Sequence, residues 1–324
     1  MTGDRKVHGA ARAAVGACAL LLAAALGGCA LTTPPRSEVQ QERVEPAVSD
    51  SALLTAGTLT VALNTADAPQ AMSGSDGTLT GYYVDVARAL AQRMGLKVAF
   101  VSSGSPSKAL GDKKADIFMG GTTRDADATI AVTGSLAEDA SALFTRTDDG
   151  RAPSVSVDQL NGMTVAVQDA SASQDALNRA GITAAQKTFA NVNECFDALA
   201  SGEVQYVACD AAAGAYLARA YTGATFVGVI SSVSAAGIAG PASGELAEAI
   251  QAAYDGMNQD GTLDALHAAW YGSLPVGLSN EVLSGVTISS ADADDQSQAG
   301  SATADGDHAV VTDTPITDDI NSLD

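Results

Sequence analysis

The stretch from Leu59 to Val101, LTVALNTADAPQAMSGSDGTLTGYYVDVARALAQRMGLKVAFV, sets a strand, a helix and a second strand in succession. Leu59 to Leu63 alternates as a half-buried strand does. Val84, Ala87, Leu90, Ala91 and Met94 then recur at the spacing of one helix face, with Gly95 placed as a C-terminal stop. Val98 to Val101 returns to an apolar run of strand length.

The same alternation continues outward. Ala115 to Met119, Met163 to Val167 and Val204 to Cys209 are further short apolar runs, with helical patterns between most of them. An order of βαβα predicts mainly parallel sheets flanked by helices, an α/β fold. Near the end, Leu246, Ile250, Ala253 and Met257 form one apolar stripe and Leu263, Leu266 and Trp270 another, with Gly261 as the turn between them.

Composition narrows the chemistry. The 324 residues hold 38 acidic and 17 basic side chains, a net charge of -21, which argues against a nucleic-acid partner because nothing basic gathers into a patch. Length is a soft prior for about two domains. Of three histidines, His8 lies in the leader and His308 in the acidic tail, which leaves His267 alone in the folded body. A metal site or a Cys-His nucleophile therefore has almost no side chains to draw on, and no metal or cofactor is expected.

At the N-terminus, Arg5, Lys6 and Arg12 precede the apolar run from Ala13 to Leu26, the pattern of an export signal over 1–28. Leu26-Gly27-Gly28-Cys29 resembles the bacterial lipobox, so Cys29 is expected to carry lipid and hold the protein to the extracytoplasmic face of the cell membrane. An ordinary secretory cleavage is the plainer alternative. Cys18 leaves with the leader, so Cys195 and Cys209 remain as an even pair in an exported protein. A disulfide between them is expected, two buried free thiols being the alternative. Residues 29–52, with Pro34-Pro35 and no apolar period, read as a disordered tether. Residues 276–324 carry ten acidic side chains and no Lys or Arg, and read as an acidic disordered tail.

The body from about Leu59 to Gly272 resembles the extracytoplasmic solute-binding proteins of polar amino acid ABC transporters, which have the two-lobed type II periplasmic-binding-protein fold. The resemblance is carried by GTLTGYYVDVARALAQRMG (Gly77 to Gly95), KKADIFMGGTT (Lys113 to Thr123), TVAVQDASASQDAL (Thr164 to Leu177) and GELAEAIQAAYDGMNQDGTLDALHAAWYG (Gly244 to Gly272). It implies lobe 1 over 53–146 and 230–275 and lobe 2 over 147–229, joined by crossings near Leu143 to Asp149 and Phe226 to Ser231. A small polar solute would sit in the cleft and an ABC permease would receive it from what is expected to be a monomer.

The cleft residues follow from motif and position. Ser171-Ala172-Ser173-Gln174 has the capping-box pattern of a helix start, whose free amides suit a carboxylate, although a plain helix cap would read the same. Asp210 ends a strand and aligns with the family aspartate that takes the ligand's amino group; alone it would read as a solvated loop acid. Asn64 ends the first strand, where the family places a polar contact. Gly120, Gly121, Thr122 and Thr123 match the small polar turn that touches the solute, and glycine geometry would explain the two glycines equally well.

Three departures accompany the match. The family's carboxylate-clamping arginine aligns with Ala128, while Arg124 stands four residues earlier as a stand-in. Asp67 and Gln70 occupy the places of the sandwiching aromatics, and Tyr83 replaces an acid. An alternative reading is therefore a surface sensor or interaction protein with a degenerate cleft. This fold also hosts a dehydratase and, with an extra domain, lytic transglycosylases; no paired carboxylates are expected in the cleft, and the chain is read as a binding protein, not an enzyme.

Overall fold

The computed structural model describes residues 44–287 and 311–312. The expected signal peptide, the lipid-bearing Cys29, the tether up to residue 43 and most of the acidic tail lie outside the described residues.

The first lobe is built on a sheet in the order β13 (Val311–Thr312), β4 (Lys97–Ser102), β1 (Thr58–Leu63), β5 (Ile117–Gly121), β12 (Ser234–Pro241), β6 (Ile130–Asp139). Its centre is parallel: β1 (Thr58–Leu63) lies between β4 (Lys97–Ser102) and β5 (Ile117–Gly121). The helix α1 (Tyr82–Arg93) runs between β1 and β4 and buries Val84, Ala87, Leu90 and Ala91. Gly95 adopts a φ of +69° after it, and a Cβ there would come within 2.6 Å of the Val44 carbonyl, so only glycine fits. A two-residue pair, β2 (Met72–Ser73) with β3 (Leu79–Thr80), precedes α1, and the short α2 (Pro106–Gly111) follows β4. At the far edge Val311–Thr312 forms β13, antiparallel to β4.

The second lobe carries the order β11 (Ala224–Val229), β7 (Ser141–Arg146), β10 (Tyr206–Asp210), β8 (Thr164–Gln168), β9 (Ala185–Phe189). Here β10 (Tyr206–Asp210), β8 (Thr164–Gln168) and β9 (Ala185–Phe189) are parallel, with α3 (Ala172–Arg179), α4 (Val192–Ser201) and α5 (Ala211–Ala218) as connections. Apart from β13, the antiparallel members of the two sheets are the strands that cross between lobes. In lobe 1 these are β6 (Ile130–Asp139) and β12 (Ser234–Pro241); in lobe 2 they are β7 (Ser141–Arg146) and β11 (Ala224–Val229). The chain closes with α6 (Glu245–Gln259) and α7 (Thr262–Tyr271), which bury the predicted stripe of Leu246, Ile250, Ala253 and Met257.

Three expectations need correction. The first crossing falls at Ala140, earlier than Leu143 to Asp149, because Ser141–Arg146 pairs with β10 from Asp210 to Tyr206 and so belongs to lobe 2. The second passes through 230–233, and Ser231 Oγ ties the two together by accepting from the Ser141 amide at 2.9 Å. The expected tether 29–52 is fixed from residue 44 onward: Val48 is buried and the Ala47 amide donates to the Met94 carbonyl. The expected tail 276–324 is likewise fixed as far as residue 287. Leu278 and Leu283 are buried, Glu138 accepts from the Leu278 amide at 2.6 Å, and Val282 bridges to Val229 of β11. Residues 274–286 thus run from α7 across to lobe 2 as a third connection.

Candidate functional site

A cavity of about 390 Å³ opens where the crossings meet, lined from lobe 1 by Asp67 and Ser234 and from the first crossing by Asp139 and Ala140. Lobe 2 supplies Gln168, Ser171, Ala172, Ser173 and Asp210.

Strand ends deliver most of these groups. The β8 strand stops at Gln168, and Ser171 caps α3 by accepting from the Gln174 amide at 3.2 Å while its hydroxyl donates to the Gln168 carbonyl at 2.7 Å. The capping box is modified: Gln174 reaches back to the Ala170 amide at 2.9 Å. The cap takes the third amide of the turn, so the amides at Ala172 and Ser173 remain helix-end donors. Behind them the Ser173 hydroxyl donates to Ser141 Oγ at 3.1 Å, both residues being buried. Asp210 ends β10 and caps α5 through the Ala213 amide at 3.0 Å. Asp210 therefore both holds the start of the helix and lines the cavity.

Sequence reasoning missed Asp139. Its Oδ1 accepts from the Ala140 amide at 2.8 Å and the Ala212 amide at 3.3 Å, which sets its carboxyl beside that of Asp210 at the start of α5. Burial first, and then the charge of Asp210, hold the Asp139 carboxyl well above the ordinary carboxylate range. The expectation of no paired carboxylates in the cleft is thereby overturned. Asp67 is pushed up to about 6 by the protein volume around it and by Asp210, although its side chain stands at the open edge of the cavity. The Tyr83 ring packs on the backbone of Gly120, where φ is +95° and a Cβ would lie 2.9 Å from Tyr83 Cε2. Burial, and then Asp67 and Asp139, push its hydroxyl up as well.

Other sequence candidates stand apart from the cavity wall. Asn64 Oδ1 accepts from the Ala66 amide at 3.1 Å, a local turn. Gly121 is buried within β5, and Thr122 closes a capping box with Asp125, its amide and hydroxyl donating to Asp125 Oδ2 at 2.7 and 2.8 Å. Thr123 and Arg124 lie exposed in the single turn Thr123–Asp125, and Ala128 is exposed beyond it. The expected disulfide is absent: Cys195 and Cys209 are buried free thiols. Cys195 turns its thiol back onto the Asn191 carbonyl of its own helix turn, at 3.5 Å, and Cys209 Sγ packs on Gly214. Among the described residues, no three His, Cys, Asp or Glu side chains stand close enough to hold a metal ion, and no helix is long and apolar enough to cross a membrane.

Solved structures share this architecture. An ancestral cationic amino acid solute-binding protein is 27% identical, with a TM-score of 0.56 over 66% of this chain and 96% of that one. The L-cystine solute receptor of Neisseria gonorrhoeae, in its unliganded open conformation, is 21% identical with a TM-score of 0.56 over 68% and 95%. A polar amino acid ABC uptake transporter substrate-binding protein from Streptococcus thermophilus is 16% identical with a TM-score of 0.59 over 68% and 88%. No curated protein matches. The family model for bacterial extracellular solute-binding proteins, family 3, matches residues 59–273, the whole two-lobed body and its cleft. The chain therefore belongs to the family 3 bacterial extracellular solute-binding proteins.

Proposed function

We propose that this chain is a lipid-anchored substrate-binding protein on the extracytoplasmic face of the cell membrane, which captures a small polar solute and delivers it to an ABC permease. The observation that carries the reading is the cavity bounded by both lobes, with Asp210 and the capped start of α3 on one side and Asp67 on the other. A solute touching both sides gains contacts in the closed form that the open form lacks, which is the free-energy difference that drives closure. Likeness to the ancestral cationic amino acid binding protein supports a ligand of amino-acid size with a positive charge. Lipidation at Cys29 rests on the Leu26-Gly27-Gly28-Cys29 box. The proposed organisation is lobe 1 over 53–139 and 234–275, lobe 2 over 141–229, and a monomer that binds without turnover.

The test is thermal unfolding of the mature protein against amino acids, amines, short peptides and sugars. A ligand at about 100 times its dissociation constant adds about 2.7 kcal/mol of stability. A rise with one solute class, lost in Asp210→Ala, supports the receptor. Silence across the library supports the second reading, a surface sensor with a degenerate cleft, which Ala128 in the place of the clamp favours. For the anchor, Cys29→Ser should move the protein from the membrane fraction to the medium.

A further inference from the structure

The cleft is lopsided in charge. Asp67, Asp139 and Asp210 reach its wall from three separate segments, and no Lys, Arg or His is among the residues that line it. On the other side, two of the groups that the family resemblance assigns to the solute are missing or occupied. Ala128 stands where the clamp would be, and both Thr122 donors are taken by Asp125. Only uncharged donors remain for an anion: the first amides of α3 and the hydroxyl of Ser141, that of Ser173 being donated to Ser141.

We propose that the cleft selects an amine without a carboxylate group, its ammonium held between Asp139 and Asp210, over the zwitterionic α-amino acid of the same carbon skeleton. This rests on the reading of the cleft as a solute site and narrows it to a substrate class. An ammonium group brings three N–H donors and a positive charge to two neighbouring carboxyl groups that accept from the backbone amides of Ala140, Ala212 and Ala213 and have no cationic partner among the residues lining the cavity. A ligand carboxylate in the same cavity meets three acids and no guanidinium, which is discrimination by repulsion.

Proton release is the signature. The groups facing Asp139 are Asp210 at the start of α5, Cys209 of β10, Tyr83 of α1 and Tyr271 of α7; Asp67 lies beyond Tyr83 and interacts with Asp210, and none of these brings a positive charge. The positive charge of an entering amine favours the ionised form of Asp139, so binding releases protons to the solvent.

The experiment is titration calorimetry of the mature protein with matched pairs: agmatine against L-arginine, and cadaverine against L-lysine, in two buffers of different ionisation enthalpy. The amine of at least one pair is expected to bind at least about tenfold tighter than its amino acid, with buffer-dependent heat that reports a released proton. Asp139→Asn should weaken that amine by about tenfold or more and remove the buffer dependence, with an unfolding transition as sharp as wild type as the check on folding. An amino acid that binds as tightly as its amine, or a sugar or peptide that binds when no amine does, overturns the proposal and leaves the solute receptor standing. Silence from every solute overturns both.

Discussion

The indole of Trp270 in α7 stacks on the ring of Tyr216 in α5, with centroids 5.9 Å apart and planes 23° apart, so a helix of lobe 1 is fastened to a helix of lobe 2. The contact is reinforced at both ends. Trp270 Nε1 donates to Asp85 Oδ2 at 2.8 Å, and the Arg219 guanidinium donates to the carbonyls of Ala269 and Trp270 at the end of α7. The largest cluster of buried residues also runs through both lobes, from Leu59 and Leu90 to Phe144 and Val207. The two lobes are therefore packed against each other as well as joined by the crossings.

Trp270 is the chain's sole tryptophan, so this contact reports in isolation. Tyr216→Ala should shift the emission to the red and lower the unfolding free energy by about 1 kcal/mol through the lost aromatic pair, read from urea melts followed by fluorescence. Unchanged emission and midpoint would show that the stack does not persist in solution.

The acid pair predicts a pH dependence with a definite sign. Asp139 has its folded-state pKa raised by burial and by Asp210, so the protonated form is the one the fold prefers. The stability it contributes is fully present below the unfolded value of 3.8 and is lost as pH rises through the folded value. Asp67 acts in the same direction between 3.8 and about 6. Melting temperature should therefore carry a falling component from about pH 4 toward neutrality, and Asp139→Asn should weaken that fall and raise the melting temperature at pH 7. A variant no more stable than wild type at pH 7 would show that the fold does not disfavour the Asp139 carboxylate.

Ser171→Ala removes the side-chain acceptor of the Gln174 amide and should cost about 1 kcal/mol in chemical denaturation. Ser171→Asp, which keeps a capping acceptor, should recover most of it. Loss in both variants alike would mean that the cap is not what holds the start of α3.

The third connection between the lobes can be tested at its buried leucines. Leu283 packs into the lobe 2 cluster with Leu160 and Val165, and Leu283→Ala should cost about 2–5 kcal/mol, the ordinary range for a buried leucine. A cost near zero would return residues 276–287 to the acidic tail that their composition suggests.

Both thiols should resist a water-soluble disulfide reagent in the native protein and react once it is unfolded. Burial pushes Cys195 up to about 11 and Cys209 well above its ordinary value, and only the thiolate attacks. A protein that yields no thiols even in denaturant would carry the bridge that the structure lacks.

The regular elements were legible because their signals are local. Leu246, Ile250, Ala253 and Met257 share a helix face by spacing alone, Gly95 and Gly261 adopt the positive φ that ends or joins helices, and Ser171 caps α3 by its chemistry. Asp210 was legible too, since a polar residue at the end of an apolar run lies at the rim of a sheet. Asp139 was not. Its neighbour in sequence, Ser141, begins a strand of the other lobe only because β7 pairs with β10, a contact made across some 70 residues of chain. The lone apolar residues Leu278 and Leu283 likewise show no period, and their burial depends on Glu138 and on pairing with Val229 in the edge strand β11.

The sequence by itself determined the strands, the helices and their stops, the two-lobed family, and the polar strand end that faces the cleft, because each is written in periodicity, capping chemistry or a contiguous motif. Only the tertiary structure decided where the chain crosses between lobes, that the cysteines stay unbridged, and that Asp139 meets Asp210. Those outcomes depend on pairing and burial between residues far apart in the chain, where one register choice moves a carboxyl group from solvent into the cleft.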